Sequence, residues 1–128
     1  MSDDIAKLPG LIDSIKAIGD IIITNIVLIG QTPAPTFREK LRSKVFMERM
    51  AELGVDECTT DGYRNPIAII RGTDRKKPPI FLVAHLDTLY SGQTMLNYTV
   101  NKDTITGPGL LDNSVGVGVL LSMPAVLK

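Results

Sequence analysis

One cysteine, one histidine and a net charge of zero are the scarcities that constrain this 128-residue chain first. Cys58 has no second cysteine with which to close an internal disulfide. With no adjacent histidine to activate it either, it reads as a small apolar strand residue. The start, Met1-Ser2-Asp3-Asp4, is polar where a secretory leader would be basic and then apolar, so a cytoplasmic protein is expected. Fourteen basic and fourteen acidic residues cancel, leaving no net field to favour nucleic acid or an anionic membrane, and neither partner is expected. The most apolar early stretch, residues 15–29, is interrupted by Lys16, Asp20, Thr24 and Asn25, short of the ~18–20 clean residues that a membrane span needs. Because His85 is alone, Ser91 and Ser114 have no second histidine to serve them. No G-x-S-x-G elbow is present, so serine hydrolysis is not expected. A dinucleotide fingerprint is also missing: after Gly107 and Gly109 its third glycine would fall where Asp112 stands.

What is present has the length of one domain, enough to bury roughly two thirds of the surface of the unfolded chain. Leu11, Ile15, Ile18, Ile22, Ile26 and Ile29 recur at spacings of three and four, which predicts one amphipathic helix over 11–29 bracketed by Gly10 and Gly30. Gln31-Thr-Pro-Ala-Pro35 predicts a loop, since each proline removes a donor and pushes its predecessor towards extended geometry. Thr36-Phe-Arg-Glu39 has the spacing of a capping box. Leu41, Val45, Phe46, Met50 and Leu53 follow as the apolar face of a second helix, closed by Gly54. Residues 55–63 and 67–71, around Asp61-Gly62 and Arg64-Asn65-Pro66, predict a hairpin, and Thr73 to Pro79 a charged solvated loop. Ile80 to Ala84 is continuously apolar, the pattern of a central strand covered on both faces. Residues 96–100 and 104–106 predict a second hairpin across Asn101-Lys102-Asp103. Val115 to Leu127 predicts a helix in which Gly116 and Gly118 permit close approach to a sheet and Pro124 kinks or ends the run. The fold class expected is α/β: a three-layer sheet with flanking helices.

The polar groups at the ends of apolar elements are the candidates for chemistry. His85 stands where the 80–84 run meets a polar loop. Asp87, two residues on, returns to the same face of an extended chain and can hold the imidazole in one tautomer. An Asx turn closing the strand explains Asp87 equally well. Asp112, ahead of a helix, fits an N-cap and fits a metal-bound carboxylate; the two readings do not exclude each other.

Val83-Ala-His85-Leu-Asp87-Thr88 and Thr106-Gly-Pro-Gly109 with Asp112-Asn113 together resemble the dinuclear-zinc peptidases and deacylases that include peptidase T, carboxypeptidase G, aminoacylase and acetylornithine deacetylase. The likeness extends upstream to Pro33-Ala-Pro35-Thr36 with Glu39 and Arg42, to Gly54, and to Asp61 and Asn65. It implies that His85 ligates one of two zinc ions, that Asp87 is the catalytic residue orienting it, that Asp112 bridges both ions, and that the Asp112–Asn113 peptide is cis. The reaction implied is hydrolysis of a peptide or N-acyl amide bond by metal-activated water, on a small peptide or an acylamino acid. The resemblance further implies a glutamate pair, another carboxylate and a distant histidine beyond the helix that follows Asp112, and residues 1–128 contain none of these. The expectation is therefore the N-terminal portion of a zinc-exopeptidase-like catalytic domain, inactive by itself. A site completed across subunits finds no glutamate pair to donate, and the rival reading is a non-catalytic α/β module that keeps the fold without a working site. Uncovered apolar surface at 80–84 and 115–127 would then favour self-association.

Overall fold

A computed structural model describes residues 8–90 and 92–127. Residues 1–7, 91 and 128 lie outside the described residues, and with them the Met1-Ser2-Asp3-Asp4 start and Ser91 of the sequence reading. The elements in order are α1 (Leu8–Ala17), α2 (Gly19–Gly30), α3 (Lys40–Glu52), β1 (Glu57–Thr60), β2 (Pro66–Ile69), β3 (Thr99–Val100), β4 (Ile105–Thr106), a wide helical turn (Leu110–Ser114), α4 (Val115–Ser122) and α5 (Pro124–Leu127).

The single helix expected over 11–29 is two. Ile18 leaves helical geometry (φ −101°, ψ 12°), and its N–H bonds back to Ile15 O at 3.2 Å, a three-residue closure that tightens the end of α1. Gly19, a poor helix former, follows at once, while Gly10 lies inside α1 and brackets nothing. Only the later part of the apolar face is used: Ile26 and Ile29 are buried, Leu11 and Ile15 exposed. The capping box does not form either. Helix α3 starts at Lys40 with no side-chain cap, Glu39 accepts from the Phe37 N–H, and the Thr36 hydroxyl is engaged elsewhere. At its other end Gly54 has the left-handed conformation expected of a helix stop (φ 70°).

β1 and β2 form the expected antiparallel hairpin, with Cys58 opposite Ala68. Asp61 closes it by accepting the N–H groups of Tyr63 and Asn65 on Oδ1 and the Asn65 side-chain amide on Oδ2. Cys58 packs on Met47 and burial pushes its thiol pKa up, so it behaves as the small hydrophobe it was read as. The second hairpin is present and short, Thr99 pairing with Thr106 and Val100 with Ile105.

Residues 80–84 correct the expectation of a central strand. Among the described residues none pairs with them, and Ile80, Phe81 and Val83 are 88%, 82% and 83% exposed. An apolar run becomes a strand only when a neighbouring backbone meets its N–H and C=O groups, and the β1–β2 hairpin does not do so. The architecture observed among the described residues is helices with two small antiparallel sheets, consistent with part of an α/β domain.

The core gathers Ile29, Phe46, Met50, Val117 and Leu121, with Ala84 and Leu86 packed on its edge. Helices α2 and α4 make its closest contact. A Cβ at Gly118 would meet Ile26 Cα at 2.7 Å and Ile26 N at 2.8 Å, so the approach that Gly118 permits is to a helix, not to a sheet. A buried polar chain crosses the same interface: Arg49 Nε donates to Asn25 Oδ1, Asn25 Nδ2 to Ser122 Oγ, and Ser122 Oγ to Gly118 O. Pro124 ends α4 and opens α5. The stretch Leu110–Leu127 is apolar enough by composition to cross a membrane (mean hydropathy 1.6), and here Val117 and Leu121 spend that apolarity in the core.

Two expectations follow for stability. Gly118→Ala should lower the unfolding free energy by about 1–3 kcal/mol despite the better helix propensity of alanine, because the new methyl meets backbone that cannot yield cheaply; urea unfolding reads this, and an unchanged midpoint would mean that the helices part easily. Hydrogen bonds from the Asn65 side chain, then from the Asn65 and Tyr63 backbone, hold the Asp61 carboxyl below its ordinary 3.8. With the folded value depressed, the turn's contribution is present above the unfolded pKa and is lost as pH falls through the folded one. The Tyr63 and Asn65 amide resonances should therefore titrate together with a midpoint below 3.8.

Candidate metal centre

The site is assembled around Arg42. Buried to 1% exposure, its guanidinium donates from Nε to Thr32 O (3.0 Å) and from Nη1 to Leu86 O (2.9 Å), so one side chain of α3 ties the proline loop to the segment after residue 84. Burial lowers the Arg42 pKa from its ordinary value, opposed by Tyr98 and Asp87. The two tied segments run side by side: Thr88 N donates to Ala34 O at 2.8 Å, and Pro35 pairs with Thr88 in a single parallel bridge. This places Thr36 against Asp87, its hydroxyl donating to Oδ2 at 2.9 Å. The other Asp87 oxygen lies 3.1 Å from His85 Nδ1. The Thr36 hydroxyl holds the Asp87 carboxyl below the ordinary carboxylate range, with His85 adding to the effect and desolvation opposing it.

Asp112 reaches the same histidine at its other ring nitrogen. Tyr98 anchors its turn, donating its hydroxyl to Pro108 O at 2.6 Å and covering Gly107, where a Cβ would meet the ring at 2.7 Å. Gly109 takes a left-handed conformation (φ 65°) against Tyr90, a geometry that glycine adopts without strain. Asp112 (φ −130°, ψ 79°) and Asn113 (φ −135°, ψ 40°) leave helical geometry, and the peptide between them is cis. Asp112 therefore does not cap α4. Ser114 holds the cap position without a side-chain bond, and Asp112 is 68% exposed with Oδ1 3.0 Å from His85 Nε2.

The three residues singled out in the sequence thus meet at one imidazole, Asp87 on Nδ1 and Asp112 on Nε2. Two donors on one tetrahedral zinc, each bound at ~2.0–2.1 Å, stand about 3.3 Å apart. His85 Nε2 and Asp112 Oδ1, 3.0 Å apart, need open only a few tenths of an ångström to share an ion, and imidazole with carboxylate suits zinc. The residues fit the group as a pair: among the described residues no group of three or more His, Cys, Asp or Glu could hold a metal. Two contributors had no site role assigned from the sequence. Thr36 lies in the stretch of likeness but has the spacing of a helix cap, and Tyr98 carries no motif; each acts on a partner that only folding brings near.

Residues 65–128, half of the chain, match the model for peptidase family M28. No curated protein matches. The match supports a zinc-dependent peptidase family and does not name the narrower group of peptidase T, carboxypeptidase G, aminoacylase and acetylornithine deacetylase. His85, Asp87 and Asp112 all lie in the matched half, and the chain belongs to peptidase family M28, whose members are typically zinc-dependent.

Proposed function

We propose that His85 and Asp112 are zinc ligands, and Asp87 the residue that orients His85, in an enzyme that hydrolyses peptide or N-acyl amide bonds. The observation that carries the reading is the imidazole held between two carboxylates, Asp87 Oδ1 at 3.1 Å from Nδ1 and Asp112 Oδ1 at 3.0 Å from Nε2. Asp87 accepts the Nδ1 proton, which leaves the Nε2 lone pair for a metal and fixes the plane of the ring. Asp112 meets His85 through Oδ1 and is open to solvent, so its carboxylate would be available to hold metal, the ligand role implied by the motif likeness to peptidase T and the deacylases. His85 and Asp112 would hold the zinc, which would supply Lewis acidity towards an amide carbonyl and towards water.

The 128-residue chain itself should not turn over substrate, because a catalytic zinc takes about three protein ligands and this site offers two. Zinc added to the protein should shift the ring nitrogen resonances of its only histidine. His85→Ala and Asp112→Asn should each weaken binding at least tenfold by calorimetry, with no hydrolysis of dipeptides or acylamino acids in any of the three. Zinc in excess that left His85 undisturbed would remove the metal from this reading, and turnover by the wild type would show that the site is complete. The rival, a non-catalytic module without a working site, draws on the two-donor count and is what the first of these outcomes would support.

We further propose that the chain self-associates through residues 80–83. Consecutive exposed Ile80, Phe81, Leu82 and Val83 present unpaired backbone beside apolar side chains, and they border a cleft of about 2260 Å3. Sedimentation should find a dimer or larger species that Phe81→Glu shifts towards monomer. A wild type that stays monomeric at high concentration would refute the association.

A further inference from the structure

From the hydrogen bonds around Asp87 we infer that Thr36 is a positioning residue of the metal centre: its hydroxyl locks the Asp87 carboxylate against His85 Nδ1 and so commits Nε2 to the metal. The inference rests on the reading of His85 as a ligand and adds a group that acts through Asp87 without touching ion or substrate.

Geometry at the imidazole is almost balanced. Asp87 stands 3.1 Å from one nitrogen and Asp112 3.0 Å from the other, so distance alone does not decide which nitrogen carries the proton of the neutral ring. The carboxylates differ in how they are held. Asp112 is 68% exposed and among the described residues its side chain bonds to His85, whereas Asp87 is 35% exposed and has its far oxygen fixed by Thr36 at 2.9 Å. A carboxylate held at both ends loses little freedom when it accepts the Nδ1 proton; one free to rotate must be ordered to do so. The restraint thus biases the ring towards the Nδ1–H form, whose bare Nε2 is the donor a metal needs.

The local backbone is built to deliver this hydroxyl. Thr36 follows the Pro35–Thr88 bridge, so its Cα is set by the same pairing that sets Asp87. Phe37, next in sequence, takes a left-handed conformation (φ 67°) although it is bulky and 94% exposed, and Arg38 N bonds back to Pro35 O at 2.7 Å. Such a conformation costs free energy for a residue with a large side chain. The Phe37 ring is almost fully exposed, and the turn that contains it leaves the Thr36 hydroxyl 2.9 Å from Asp87 Oδ2. Thr36 itself is exposed, so changing it removes no core contact.

The test compares Thr36→Val, nearly the same shape without the hydroxyl, with Thr36→Ser, which keeps it. Because His85 is the only histidine in the chain, nitrogen-15 spectra read its tautomer without overlap. The wild type and Thr36→Ser should show the Nδ1–H form predominating at a pH where the ring is neutral. Thr36→Val should shift the population towards Nε2–H and bind zinc about tenfold more weakly, the lower end of the loss found when an outer partner of a ligand is removed, with an unfolding midpoint close to wild type. A Thr36→Val tautomer ratio equal to wild type, or equal damage from serine and valine, would overturn the proposal. If the wild type bound no zinc, the ligand reading would fall, and the tautomer comparison would still decide the role of Thr36.

Discussion

A buried guanidinium bonded to two backbone carbonyls is the constraint on which the arrangement depends. Among the described residues Arg42 forms no ion pair; it directs its donors to Thr32 O and Leu86 O, from segments more than fifty residues apart in sequence. A charge out of water is tolerated only where such bonds replace hydration, and removing it would orphan two carbonyls and open the space beneath them. The pairing of the proline loop with the 85–88 segment, and with it the meeting of Thr36 and Asp87, is held from below by this one side chain.

The second half of the site has a different support. Asp112 rides on a turn anchored by Tyr98, and Tyr98 is wedged between Gly107 and Gly30 at the end of α2. The helix after that turn packs on α2 through Gly118 and Ile26 and shares the buried Asn25–Ser122 bond. Helix α2 is thus the common wall: α4 and the Asp112 turn lean on it, and Arg49 of α3 reaches it through Asn25. Neither carboxylate is placed by its immediate neighbours in sequence alone. Each is delivered by an element braced against this wall, which is how exposed side chains can converge on one imidazole without a closed pocket around them.

Several parts of the fold were legible because their causes are local. Gly54 ends a helix where only a left-handed residue fits, Asp61 with Asn65 closes a turn with its own side chain, and Pro124 separates two helical turns. His85 and Asp87 share a face because extended chain has a period of two. Other signals were real and were overridden. Thr36 and Glu39 have capping-box spacing, yet a capping bond is worth about 1 kcal/mol, and the loop geometry fixed by Arg42 and the Thr88 pairing turns the hydroxyl towards Asp87. Asp112 reads as an N-cap on the same local grounds, and the turn held by Tyr98 points it at His85.

By itself the sequence determined which residues could do chemistry and where the chain would turn, since both follow from side-chain identity and from steric rules that act over a few residues. Tertiary structure decided what those residues do. The meeting of His85 with Asp112, the capture of Thr36 by Asp87 and the lack of a strand partner for 80–84 among the described residues each depend on whether a distant segment arrives within hydrogen-bonding distance. That arrival is governed by burial and backbone satisfaction across the whole core, free energies that exceed the tenths of a kcal/mol in local propensity; no window of neighbouring residues records them.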